Sequence, residues 1–125
     1  MSCYLALAHA RASETWPMPE LYTEIIATYT RHGWELRRVL LRPETRANLA
    51  AGILAQFKDA RLIEADFDAL WFARASQGRE AWELRLVAEQ PYALFEAFEA
   101  DEDEELREDA RLEMENRMRE QTVKA

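Results

Sequence analysis

The chain has 125 residues, 49% of them hydrophobic and 32% charged, with four Trp, four Tyr and five Phe; this is one domain's length with enough apolar mass for a core, and it excludes a disordered chain. A formal charge of −8 repels phosphate backbones and anionic bilayers at long range, so no nucleic-acid partner and no membrane partner is expected. The single cysteine, Cys3, makes no internal disulfide and no apolar run approaches the roughly 20 residues of a membrane span, so a cytoplasmic location is the expectation.

Residues 3–10 alternate Leu5 and Leu7 with Tyr4, Ala6 and Ala8 and read as a first strand. A turn-like link over 14–17 carries Trp16. From Pro19, suited to a first helical turn, to His32, the side chains Leu21, Tyr22, Ile25, Ile26 and Tyr29 recur at spacings of three and four. That spacing predicts a helix, which Gly33 closes.

A second strand over 34–41 places Trp34, Leu36 and Leu40 on one face, with Glu35, Arg37, Val39 and Leu41 on the other. Pro43 ends it, and a second helix is expected over 44–57, weakened by Gly52. Residues 60–68 read as a short strand and a loop. A hairpin follows, with strand 69–75, a turn at Ser76, Gln77, Gly78 and Arg79, and strand 80–88. Trp82, Leu84, Leu86 and Ala88 share one side of that last strand.

Pro91 opens a third expected helix, in which Leu94, Phe95 and Phe98 mark an apolar stripe, read as core together with Tyr92. Ten acidic and five basic residues then fall within 101–125, a charged helix running to about Glu120. The expected fold class is therefore α+β: a four-stranded, mostly antiparallel sheet with helices packed on it. One globular unit spans 1–100, and 101–125 is a charged helical extension of the same domain.

An internal echo runs through the chain. Trp34-Glu35-Leu36-Arg37, Val39 and Pro43 recur as Trp82-Glu83-Leu84-Arg85, Val87 and Pro91, all at an offset of 48 residues. Ala10-Arg11-Ala12-Ser13 recurs as Ala73-Arg74-Ala75-Ser76 at an offset of 63. A duplicated strand–strand–helix unit accounts for this. So does the common need of half-buried strands for Trp and Leu inward and Glu and Arg outward.

Four groups of residues carry candidate chemistry. Arg37, Arg38, Arg42 and Arg46 cluster around the start of the second expected helix, where guanidinium groups and a helix N-terminus suit an anion. Glu64, Asp66 and Asp68 alternate and, if extended, share a face fit for a hard cation or for a charged edge strand. Asp101, Glu102, Asp103, Glu104 and Glu105, with Glu108 and Asp109, form an acidic surface for a basic partner. Leu106, Ala110, Met114 and Met118 make a thin helical stripe which, with Trp16, suits docking against another chain.

His9, His32 and Cys3 have no neighbours at metal-ligand or nucleophile–base spacing, and the three isolated glycines form no phosphate loop, so no cofactor is expected. These readings favour a binding or regulatory module that acts through protein–protein contact as a homodimer. The alternatives are an acidic inhibitor (immunity-type, or a nucleic-acid mimic) and a protein that holds a small anionic ligand, as binder or enzyme, between sheet and helices.

Overall fold

The computed structural model describes residues 19–124. The strand expected over 3–10, together with Cys3, His9 and Trp16, lies outside them.

The first helix, α1 (Pro19–Arg31), starts on proline with Glu20 in its first turn and buries Tyr22 and Ile25. Its end follows from one glycine. Gly33 takes φ +86, which lets its own N–H reach the Thr30 carbonyl and the Trp34 N–H reach the Tyr29 carbonyl, both at 3.0 Å. This pattern satisfies carbonyls that a helix end leaves without partners, and the rings of Tyr29 and Trp34 meet edge-on at 6.0 Å as its hydrophobic contact. Arg74 donates to the carbonyl of His32 at 2.9 Å and completes the cap.

Strand β1 (Glu35–Leu41) carries a bulge. Leu36 pairs with Phe72 but Arg38 pairs with Trp71, so Arg37 is an extra residue. A strict alternation would put Trp34, Leu36 and Leu40 on one face. With the bulge, Trp34 and Leu36 share a face with Val39 and Leu41, and Leu40 faces the other way.

Pro43 closes β1 and opens α2 (Pro43–Asn48). The helix expected over 44–57 is three pieces: α2, α3 (Ala51–Leu54) and a 3-10 turn (Ala55–Phe57). The break falls at Leu49 and Ala50, both extended, rather than at Gly52. It lets Leu49 and Phe57 both enter the core. The next strand, β2 (Arg61–Glu64), runs parallel to β1, and a parallel pair requires a crossover of this kind.

β3 (Ala69–Ser76) is central and buried on both faces from Ala69 to Ala73, which its unbroken apolar run reflects. It turns into β4 (Arg79–Leu86) through Gln77 and Gly78, both at positive φ, as a tight hairpin of matching twist requires. The helix expected from Pro91 is instead a strand, β5 (Ala93–Glu99), antiparallel to β4. Leu94 and Phe98 lie four apart, a spacing that serves both a helix and one face of a strand. Phe95 decides between them: it lies on the opposite face and is 56% exposed. The last element is α4 (Glu104–Lys124).

The result is α+β with a five-stranded mixed sheet in the order β2-β1-β3-β4-β5, not four strands. Helices cover both faces. On one, Tyr22, Ile25, Leu49 and Phe57 pack on Val39, Leu41, Leu70 and Phe72. On the other, Met114 and Met118 of α4 pack on Leu40, Trp71, Trp82, Leu84 and Phe98. Trp34 and Trp82 therefore belong to different interiors, and the second echo leads into a strand, so no duplicated unit is shown.

Met114 and Met118 are 1% and 0% exposed, and Ala110 packs beside them. The stripe read as a docking face is thus spent on this chain's own sheet, with only Leu106 left exposed. Met118→Ala is expected to cost about 2–5 kcal/mol in urea denaturation, whereas Leu106→Ala stays within about 0.5 kcal/mol. A small loss at Met118 would contradict its place in the core.

Candidate functional site

The α4 side of the sheet carries an unusual concentration of guanidinium groups around one indole. Trp82 is 4% exposed and meets Trp71 edge-on at 5.8 Å. Arg111 lies over the Trp82 ring at 4.0 Å, with Arg38 at 5.4 Å and Arg37 at 5.5 Å. The bulge brings this about, because Arg37 and Arg38, adjacent in a strand, would otherwise point to opposite faces. The negative face of the indole attracts each cation.

Arg111 is 2% exposed. Its Nη1 donates to Glu104 at 2.9 Å and to Glu108 at 2.7 Å, while its buried Nε has no hydrogen-bond partner. Arg38 grips Glu108 through Nη1 and Nη2, at 3.3 and 2.9 Å. Glu80 accepts from the Trp82 indole N–H at 2.8 Å and from Arg107 at 3.1 Å, and lies 4.0 Å from Arg37.

These groups border a cleft of about 450 Å³. Arg37 and Arg38 of β1 form one wall, and Arg61 of β2 with Asp59 before it forms the edge. Glu80 and Trp82 of β4 make the floor, and Glu104, Arg107 and Arg111 of α4 close it. Five arginines and three carboxylates line the cleft. Glu35, bound by Arg37 at 3.0 Å, and Glu108, bound by Arg38 and Arg111, raise the carboxylates to five, and among the described residues Arg61 is the lining arginine without an ion pair. The hydrogen bond from Arg38 holds the Glu108 carboxyl below its ordinary range, against the opposing effect of burial. Glu104 is likewise lowered, chiefly by Arg111. Burial disfavours the charge on Arg111, and its bonds to Glu104 and Glu108 outweigh that effect.

Of the arginines singled out in the sequence, the fold brings Arg37 and Arg38 into the cleft. Arg42 is engaged elsewhere, with its backbone N–H, Nε and Nη2 all on Asp68 at 2.8–3.2 Å, where Thr45 also donates. Arg46 stays exposed on α2, outside the cleft. The alternating carboxylates are separated as well. Asp68 serves Arg42, Asp66 binds Arg119 and Glu64 is exposed at the end of β2. Among the described residues no group of three or more His, Cys, Asp or Glu could hold a metal ion.

The acidic run is divided too. Glu104 enters the cleft, Glu102 accepts the backbone N–H of Glu99 at 2.7 Å, and Asp101, Asp103 and Glu105 are exposed. Sequence reasoning does not single out Arg61, Glu80, Arg107 or Arg111. The signal for the last two was present: Arg107, Arg111, Met114 and Met118 recur at four, three and four along one face of a helix.

Among the described residues no helix is long and apolar enough to cross a membrane. Comparison with protein-family models, with curated proteins and with solved structures finds no match for the chain.

The lowered carboxyls of Glu104 and Glu108 set an acid limb. A carboxyl depressed in the folded state contributes stability that is whole above about pH 4.5, its ordinary value, and is lost as pH falls through the folded one. Glu108→Gln is expected to lower stability at pH 7 and to flatten its decline between about pH 5 and 3 in denaturation at fixed ionic strength. An unchanged acid limb would show that the Arg38–Glu108–Arg111 bridge does not operate in solution.

Proposed function

We propose that this protein binds a small anionic ligand in the arginine cleft between the sheet and α4. The observation that carries the reading is Arg111, a nearly inaccessible guanidinium whose Nε lacks a partner and which borders a cleft where four more arginines assemble. A purely structural ion-pair network would match each cation with a carboxylate; among the described residues Arg61 at the rim has no ion pair, while Arg37, Arg38, Arg107 and Arg111 do, and burial makes the contacts of Arg111 stronger than at the open surface.

Such a ligand, bound to the folded state alone, raises the unfolding midpoint by mass action. Thermal unfolding of the full chain is expected to shift upward with millimolar phosphates or carboxylates beyond the effect of chloride at equal ionic strength. Arg61→Ala, an exposed change at the rim, is expected to weaken that binding about tenfold, the worth of one charge-assisted hydrogen bond. Equal shifts by chloride and by every anion tested would sink the reading.

A second reading, a homodimeric or partner-bound regulatory module, draws on the other face. There Phe95 is 56% exposed and meets the Trp34 ring edge-on at 6.3 Å, on the part of the sheet farthest from β2. Light scattering tests it. A monomer at all accessible concentrations removes the homodimer.

A further inference from the structure

We infer that the cleft receives a phosphate group, free or on a monoester, and that the Glu104 carboxylate holds its place until the phosphate displaces it. This inference rests on the anion-binding reading above.

The class of anion follows from where the donors originate. Arg37 and Arg38 come from β1, Arg61 from the edge strand, and Arg107 and Arg111 from the helix above. A carboxylate is planar and takes its donors within that plane, as Glu108 does from Arg38 and Arg111. A phosphate offers terminal oxygens in a tetrahedron and accepts forks arriving from several directions, the use to which arginine is best suited. Arginines drawn from three elements match the second shape.

The role of Glu104 follows from comparing two carboxylates on one nitrogen. Both Glu104 and Glu108 accept from Arg111 Nη1. Glu108 is tied a second time by both terminal nitrogens of Arg38 and is 37% exposed. Glu104 has no hydrogen bond from its side chain to any other described residue and is 67% exposed. Only the Glu104 end of the pair is exposed, and when Glu104 turns away the buried Arg111 keeps Glu108 and the face of Trp82, so a rotamer change at Glu104 does not strand that charge. It vacates one acceptor position on Arg111 Nη1. It also withdraws a like charge from the incoming anion. Glu104 is thus an internal competitor, a carboxylate of the chain standing where an oxygen of the ligand would bind.

The test compares Glu104→Gln with Glu105→Gln. Both remove one negative charge from exposed neighbours in the first turn of α4, but only Glu104 lines the cleft. Inorganic phosphate, glycerol phosphate and succinate are titrated into the full chain by calorimetry at constant ionic strength. Removal of one like charge close to the ligand is expected to tighten phosphate binding about fivefold in Glu104→Gln, with no change in Glu105→Gln. Binding by Glu104→Gln when the unaltered chain binds too weakly to measure supports competition equally.

Equal affinity in the two variants, with the unaltered chain binding phosphate, overturns the competitor role and leaves the anion site standing. Succinate binding the unaltered chain as tightly as either phosphate overturns the phosphate assignment alone. Absence of binding by all three proteins to all three anions overturns the site itself. Preference for glycerol phosphate over inorganic phosphate, or the reverse, distinguishes a monoester ligand from the free ion.

Discussion

A guanidinium taken out of water costs several kcal/mol unless other charges and dipoles replace its hydration. Arg111 meets that cost with the face of Trp82 below it and with Glu108 and Glu104 beside it. Because Arg111 belongs to α4, Trp82 to β4, and Glu108 is shared with Arg38 of β1, this one charge fastens the C-terminal helix to two strands at once. Met114 and Met118, one and two turns further on, then fill the space over Trp71, Leu84 and Phe98. Glu115 extends the same line by accepting the Trp71 indole N–H at 2.8 Å. Of α4 only Ala110, Met114 and Met118 join the apolar layer beneath it, so few apolar contacts hold it in place. Its docking depends on the polar arrangement at its first two turns as much as on the methionines.

Much of the fold was legible where sequence periodicity admits one structure only. The run from Leu21 to Tyr29 fits a helix and nothing else, and Gly33 marks its end. The Gln77-Gly78 turn between two alternating segments announces the hairpin. Legibility fails where one spacing serves two structures. Leu94 and Phe98 are equally an i, i+4 helical pair and two inward positions of a strand, and only pairing with β4 decides between them. The interruption at Leu49 and Ala50 has no local mark at all, since Ala, Leu and Asn there are tolerable in a helix. It answers a tertiary demand, the return path between two parallel strands.

The candidate site was legible only in part, for a different reason. Arg37 and Arg38 stand together in the sequence and invite attention, but alternation assigns them to opposite faces, and the bulge that reunites them is invisible without the register against β3. Arg111 hides in a run of acids that makes the tail look uniformly negative. Total charge is a property of the whole surface, whereas a ligand feels the few groups within a Debye length or less. An acidic molecule can therefore gather five arginines around one cleft.

The extra residue in β1 has a consequence for how this chain tolerates change in length. Replacing Arg37 by another amino acid leaves the count of residues between Trp34 and Val39 intact, so both stay over α1. Deleting it restores plain alternation and carries Trp34 and Leu36 across the sheet, away from Tyr29 and Phe72 and into the layer beneath α4. A gap of a single codon there rearranges two interiors together, and it is worse tolerated than any substitution at the same position.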